Sequence, residues 1–383
     1  MRLIRVFLKS MREQLRSYWL LILSISIAPV FVLLYWMITG GGSTTYRVLV
    51  INHDEQAATS VSAAVIEKIQ QLRYANDQPI LKVTLIEDQS AAETKLRNRE
   101  ATALLVFPDN FSSTLLSAES GRKVEPVKLT VIGDLTNPYY PLVSIMAVSA
   151  VDEYVKEMIG QTSPVVLNEI PLGGSGARTE FEMYVPALLI LAVVMLIFQV
   201  AMTITREVEN GTLRRLQMTK MTAFDLLGGI SLTQVLIGVV CVLFTFLTAS
   251  LLGFSSQGSL WVAILIGAVT SFSIVGIGLM IACLARTVSE AFIYSNFPLI
   301  FLMFFTGAVF PIPPMPIFTV AGRTIGMFDF LPPTHAIVAL NKVLTLGAGL
   351  KDVAYELCML LILSALYFGI GVWLFNKLRL KRA

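Results

Sequence analysis

Six long stretches of the chain carry no Asp, Glu, Lys or Arg, and a long polar segment separates the first from the other five. They run Trp19 to Ile38, Tyr184 to Ile204, Leu226 to Phe254, Leu260 to Ala285, Ala291 to Phe310 and Leu357 to Phe375. A bilayer core is about 30 Å thick, so a helix needs about 20 apolar residues to cross it. The pattern therefore predicts six transmembrane helices, with residues 19–38 as the first and residues 183–383 holding the second to the sixth. Residues 1–18 carry a different period. Ile4, Phe7, Leu8, Met11 and Leu15 recur at helical spacing, while Arg2, Arg5, Lys9, Arg12 and Arg16 lie largely elsewhere on the wheel. That arm is either an amphipathic helix lying in the membrane interface or a topogenic charge cluster.

The polar segment, residues 39–182, is long enough for a domain with its own core. Alternation and β-branching predict strands at Tyr46–Asn52, Leu81–Ile86, Ala103–Phe107 and Lys128–Ile132. Helical character falls at Ala57–Leu72, Ser90–Arg99 and Pro141–Ile159, and Pro108-Asp109-Asn110 opens a further helix to about Ser120. Strands alternating with helices predict an α/β domain. The fold expected is an α-helical polytopic membrane protein with an inserted extracytoplasmic α/β domain.

Composition agrees. Hydrophobic residues make up 55% and charged residues only 14%, against about 25% charged in a soluble domain. Disordered chains, coiled-coil rods and disulfide scaffolds are excluded. The net charge of +3 gives no concentrated basic face for nucleic acid. Basic residues do set the orientation. Arg2 to Arg16, Arg206 to Lys220, Arg286 and Lys377 to Arg382 sit on short segments that share one face of a six-span chain. The positive-inside rule makes that face cytoplasmic, with both termini there and 39–182 outside. The first apolar run is too long for the core of a cleaved signal peptide. Cys241, Cys283 and Cys358 all fall in apolar runs and are expected to be small buried hydrophobes.

Candidate chemistry is sparse. No catalytic constellation and no metal site is predicted. His53-Asp54-Glu55 sets one His beside two carboxylates, but no second His or Cys lies in that domain, so a surface turn is expected. The G-x-x-x-x-G-K-[ST] phosphate loop is absent. If ATP drives this protein, another subunit binds the nucleotide. Arg206-Glu207-Val208-Glu209-Asn210-Gly211-Thr212-Leu213-Arg214-Arg215-Leu216 is the most informative stretch. It places two carboxylates beside a Gly that permits a turn, followed by a short basic segment able to dock on a partner. From spacing alone a solvated loop with charge anchors fits as well.

This R-E-x-E-x-G-T-L stretch after the second span resembles the signature of ABC-2 type transporter permeases, of the type V exporter kind. The order of parts is similar too: amphipathic helix, span, large outer domain, five more spans. Ala103 to Phe111 resembles a segment such permeases carry in the outer domain. Phe305-Thr306-Gly307-Ala308-Val309-Phe310-Pro311 with Pro314-Met315-Pro316, and Leu331-Pro332-Pro333-Thr334-His335-Ala336, resemble elements after span five. Where a Pro is usual after the coupling segment, Lys220 stands instead. The resemblance implies a homodimer of permease chains in a bacterial cytoplasmic (inner) membrane. Separate cytosolic ATPase subunits would bind ATP and magnesium, with no cofactor on this chain. It implies a coupling segment, 205–222, with Arg206, Glu207, Glu209, Gly211, Thr212, Leu213, Arg214 and Arg215 at the ATPase contact. A periplasmic adaptor and an outer-membrane channel are further partners that it implies, and export of hydrophobic or amphipathic, drug- or lipid-like compounds is the expected activity.

Three features complete the reading. Residues 311–340 are rich in proline, with an interrupted apolar stretch, and predict a re-entrant or interfacial helical hairpin. Pro311, Pro314, Pro316, Pro332, Pro333 and His335 there are candidates for an outer gate. Phe301, Phe304 and Phe305 are candidates for a hydrophobic pathway, with lipid-facing packing the plainer alternative. Gly267, Ser271, Gly276 and Gly278 in span four predict close helix packing. Two rival functions remain at this point: a receptor or phage-contact protein acting through its outer domain, and a secondary transporter. Six spans exceed what an anchor needs. Asp225, Glu290 and Glu356 lie only at span edges, whereas ion-coupled carriers bury ionisable groups in the membrane.

Overall fold

The computed structural model describes residues 2–39, 44–54, 60–74, 77–122, 124–160, 178–212, 222–309, 315–320 and 323–380. In chain order its elements begin with α1 (Arg2–Arg16), α2 (Tyr18–Ile38), β1 (Tyr46–Asn52), α3 (Val61–Gln70), β2 (Leu81–Leu85), α4 (Gln89–Arg97), β3 (Ala103–Phe107), α5 (Phe111–Glu119), β4 (Thr130–Ile132) and α6 (Tyr140–Ile159). Then follow α7 (Glu180–Val194), α8 (Leu196–Glu209), α9 (Ala223–Leu251), α10 (Leu260–Leu284), α11 (Val288–Phe305), β5 (Pro316–Val320), β6 (Arg323–Gly326), α12 (Pro332–Leu344) and α13 (Ala354–Phe375). The chain divides into two units: Met1–Gly41 with Pro171–Ala383, and Gly42–Ile170.

The first unit is a helical bundle, and among its described residues six helical segments are long and apolar enough to cross a membrane. The second of these is α7 and α8 together, stacked end to end at Met195, whose backbone stays in the right-handed helical region. The sequence predicts that span as one unbroken helix. Burial shows which helices are central. Nearly all of α7 is buried, and so is most of α10, whereas α2, α11 and α13 turn most of their surface outward. Small residues let α10 sit against its neighbours as the pattern predicts. A Cβ on Gly276 would stand 2.6 Å from the backbone nitrogen of Phe368 in α13, and one on Gly278 would stand 2.6 Å from Val200 in α8. Ser273 and Ser364 hydrogen-bond across the α10–α13 contact.

At one end of the bundle, buried charges tie loops to helices. Arg178 pairs with Glu182 at 2.6 Å and donates to the Leu344 carbonyl, while Glu182 accepts from the Ser255 backbone. Lys342 of α12 pairs with Glu356 of α13 at 2.7 Å.

Two expectations fail in this unit. Where a helical hairpin is predicted over 311–340, the described residues form an antiparallel β-hairpin, β5–β6, then a short 3-10 turn and α12. The reason is local. Ile317-Phe318-Thr319-Val320 and Thr324-Ile325 are β-branched or aromatic and too few for a stable helix. Pro332 and Pro333 stand in the first turn of α12, where proline costs no hydrogen bond. The other failure is Cys358, which is exposed on α13, unlike the buried Cys241 and Cys283. An apolar run marks contact with an apolar surround, and on an outward face that surround is not protein.

The second unit is a four-stranded sheet of order β2-β1-β3-β4, with β1 parallel to both neighbours and β3–β4 antiparallel. Alternate residues feed opposite faces. Val48 and Val50 pack with α3, α5 and α6, while Leu49 and Ile51 pack with α4. β4 begins two residues later than the pattern predicts. Asp54 corrects the expected surface turn: it is buried and accepts from the Ser112 hydroxyl. Asn52, Ser60 and Ser62 surround that pair at the starts of α3 and α5. This is a satisfied capping cluster, and Glu55 lies outside the described residues.

Candidate functional site

Helix α8 turns a mixed face into the bundle. Met195, Phe198, Gln199, Met202, Thr203, Arg206, Glu207 and Asn210 recur at three- and four-residue steps, so they share one side. With the end of α1, the start of α2 and Phe292 of α11, that side encloses a cleft of about 650 Å³. Its character changes along α8. The Met195 end is apolar, with Leu23, Ile27, Phe198 and Phe292, and the Phe198 and Phe292 rings are 5.0 Å apart. The Arg206 end is polar, with Lys9, Glu13, Arg16, Glu207 and Thr212.

Helix α1 has three faces. Val6, Ser10 and Gln14 are buried. Gly228 and Gly229 of α9 make the seat, since a Cβ at Gly229 would meet Val6 at 2.6 Å. Ile4, Leu8 and Leu15 are exposed, as are the basic Arg5, Lys9, Arg12 and Arg16. The apolar stripe legible in the sequence is thus not the face that packs.

A polar chain crosses the cleft wall. Gln199 Nε2 donates to Gln14 Oε1 at 2.8 Å, and Gln14 Nε2 donates to Thr203 Oγ1 at 3.2 Å. Lys9 of α1 pairs with Glu207 of α8 at 2.9 Å and with Glu13 at 3.5 Å. Burial disfavours the Lys9 charge, but the hydrogen bond and attraction of Glu207, with Glu13 adding, outweigh it and raise its pKa. Two acceptor atoms on these residues, Gln199 Oε1 and Glu207 Oε2, are buried and have no hydrogen-bond partner among the described residues.

The second carboxylate points elsewhere. Glu209 Oε2 accepts from the backbone N–H of Val288, the first residue of α11, at 3.0 Å. Gly211 then takes a left-handed conformation, φ 66°, which ends the helix and suits glycine. The carboxylates of the 206–212 stretch therefore join α8 to α1 and to α11. Arg206 and Thr212 line the cleft. Leu213, Arg214 and Arg215 lie outside the described residues.

The other candidates fall apart from this cleft. Pro316 opens β5, and Pro332 and Pro333 are buried in the first turn of α12. Pro311 and Pro314 lie outside the described residues. His335 is buried, with Nε2 2.8 Å from the Asp329 carbonyl. The Phe301 and Phe305 rings meet at a tilt, 4.8 Å apart, and Phe305 stacks on Phe328 at 5.2 Å. Phe301, Phe304 and Phe305 all remain partly exposed and none lines the cleft. Sequence reasoning passed over Gln14, Gln199, Thr203, Phe198 and Phe292. An uncharged amide inside an apolar run, as at Gln199, was the available signal.

No curated protein matches the chain. The model for the ABC-2 family of transporter proteins matches it over residues 18–373, from the first long apolar helix into the last and through both carboxylates of the 206–212 stretch. This chain is a multi-pass membrane protein that belongs to the ABC-2 transporter family, as a permease of the ABC class.

Proposed function

We propose that this permease is the membrane subunit of an ATP-driven exporter of hydrophobic or amphipathic compounds. It works as a pair of identical chains in a bacterial inner membrane, with separate cytosolic ATPase subunits holding ATP and magnesium. The observation that carries the reading is the double anchorage of the 206–212 stretch. Glu207 holds α1 and Glu209 holds α11, and both helices are walls of the cleft. A push on segment 205–222 from a partner below therefore moves two cleft walls at once. The short basic segments support a cytoplasmic location for that end of the bundle. Cargo enters the cleft there, and ATP-driven displacement of α1 and α11 releases it toward the other side. The pattern of the 311–340 prolines and the α/β domain suits an outer gate and an outer, adaptor-facing domain.

The test is purification of the tagged protein from its native host in mild detergent, with mass spectrometry of what accompanies it. A stoichiometric P-loop ATPase is expected, and it is lost when Arg214 and Arg215 are both changed to Glu. A protein that comes alone, under conditions that keep a known ABC complex intact, overturns the reading.

A further inference from the structure

We infer that the outward side of α1 is a docking face for anionic phospholipid, which its row of arginines selects over zwitterionic lipid. This goes beyond the transport proposal and depends on neither cargo nor ATPase. Three observations carry it.

The first is which side of α1 packs. A helix on a protein surface ordinarily buries its apolar stripe. Helix α1 does the reverse. Val6, Ser10 and Gln14 are buried, while Ile4, Leu8 and Leu15 stay 56%, 47% and 59% exposed. An apolar stripe left outside along a whole helix calls for an apolar surround. The position of α1 supplies one. Only Ser17 separates it from α2, the first span, whose exposed Tyr18 and Trp19 have rings 5.3 Å apart. Tyr and Trp concentrate where membrane meets water. Towards its other end, Leu3 and Val6 rest on Gly228 and Gly229 near the start of α9. Helix α1 thus lies level with the ends of two spans, where headgroups meet acyl chains.

The second is the stripe beside the apolar one. Ile4-Arg5, Leu8-Lys9, Met11-Arg12 and Leu15-Arg16 repeat one apolar–basic pair at three- and four-residue steps. One residue turns a helix by about 100°. A basic row therefore runs the length of α1 alongside the apolar row. An acyl-facing stripe next to a basic stripe is the arrangement that seats a helix in an anionic interface.

The third is charge that the protein leaves unmet. The acids that meet α1 are taken. Glu13 and Glu207 pair with Lys9, and Asp225 accepts from Thr222 and attracts Arg2. Arg5, Arg12 and Arg16 are exposed and have no ion pair or hydrogen bond among the described residues. With Leu8, Lys9 and Glu13 they line a hollow of about 390 Å³. Arg5 to Arg16 covers about 16 Å at the helical rise, so the three guanidiniums reach separate phosphates. A lipid leaflet offers several phosphates beside apolar chains. A zwitterionic headgroup cancels its phosphate with its own cation, and an anionic one does not.

Hydrogen exchange of the purified full chain in nanodiscs tests this. The probes are discs of phosphatidylcholine alone and discs with phosphatidylglycerol of the same acyl chains added. Each basic side chain at an anionic surface is worth about fivefold in binding. Exchange in peptides from residues 2–16 is therefore expected to slow by about tenfold or more when phosphatidylglycerol is present, while α10 peptides hold their rate. High salt removes the slowing in the wild type, because it screens exposed charge. Arg5→Gln, Arg12→Gln and Arg16→Gln together abolish it, and Lys at the same three positions keeps most of it. All three side chains are exposed, so unchanged α10 exchange is expected in both variants and confirms that the bundle is intact. Exchange from α1 that is equal in the two lipids overturns the inference. If it is fast, water alone meets this face; if it is slow, a second copy or acyl chains alone cover it. Slowing that survives high salt or the three Gln replacements means that phosphatidylglycerol acts elsewhere, and also overturns it. No ATPase or transport enters the measurement, so failure of the transport proposal leaves this outcome standing.

Discussion

Replacing Gly276 by Ala should destabilise the bundle by about 2 kcal/mol, although alanine is the better helix former. The added Cβ would lie 2.6 Å from Phe368 N and 2.7 Å from Tyr367 C. Both are backbone atoms, so no rotamer change relieves the clash. Ordinary contact begins near 3.4 Å, so α10 and α13 must part by about 0.8 Å. A gap of that size forfeits about a quarter to a half of each contact's 0.1–0.2 kcal/mol. Over roughly fifty atom pairs, the contacts of one buried leucine, this loses about 2 kcal/mol. Straining the Ser273–Ser364 bond loses about 1 more. Alanine returns about 1 through helix propensity, which leaves the net loss inside the usual range for overpacking. Gly369 is the control. It lies on α13 and nothing stands within 4 Å of its missing Cβ. Thermal challenge in mild detergent, followed by size-exclusion chromatography, should show Gly276→Ala losing monodisperse protein at a lower temperature than wild type. Gly369→Ala should match or exceed wild type. Equal midpoints for the two variants would refute the backbone-contact argument.

Three further outcomes follow from named contacts. Glu209→Ala removes the acceptor at the first N–H of α11 and should lower stability by about 1 kcal/mol; ATP-dependent efflux should fall several-fold, and Glu209→Gln, which keeps an oxygen there, should fall less. The raised Lys9 pKa means the folded state holds that proton more tightly, so its contribution is complete below the ordinary lysine pKa and is lost as pH rises through the raised one. Protease access to α1 should therefore stay flat from about pH 6 to 9 in the wild type and increase only in stronger alkali, while Lys9→Met should show high access throughout. Asp54→Ala strands the Ser112 hydroxyl and should cost the α/β unit about 1–3 kcal/mol, read as faster hydrogen exchange in peptides from β1, α3 and α5, with α10 peptides unchanged.

The spans were legible because a bilayer imposes length and composition on each helix by itself. Strands β1 and β3 were legible to the residue, since their alternation and β-branching are local. The cleft was not. It is made by four helices, and three of its polar residues, Gln14, Gln199 and Thr203, carry no charge to mark them. The helical period found the apolar stripe of α1 but could not say which side packs. The buried side is Val6, Ser10 and Gln14, chosen because two glycines of α9 open a seat there. The R-E-x-E stretch was visible, but its partners were not. Lys9 and Val288 lie far along the chain, and one of the two contributes only a backbone N–H, which has no sequence signature. The β5–β6 hairpin was misread because proline density was given more weight than the short β-branched runs between the prolines.

The contacts sort the bundle into a fixed part and a movable part. Helices α10 and α13 meet at backbone distance, Lys342 of α12 pairs with the buried Glu356 of α13, and Arg178, paired with the buried Glu182 of α7, donates to the last carbonyl of α12. Separating such elements strands buried charge and opens voids, which costs several kcal/mol. The links from α8 to α1 and α11 are of another kind. Lys9 is about half exposed, and Glu209 is exposed where it meets Val288. Water can replace either partner, so each link is worth about 1 kcal/mol or less. Two such links hold position at rest yet would yield to the nucleotide-driven displacement proposed above. Stronger links would fix the cleft walls, and none at all would leave the walls deaf to segment 205–222. The two carboxylates of the stretch are thus suited to passing motion because each makes one weak, specific contact on a different wall.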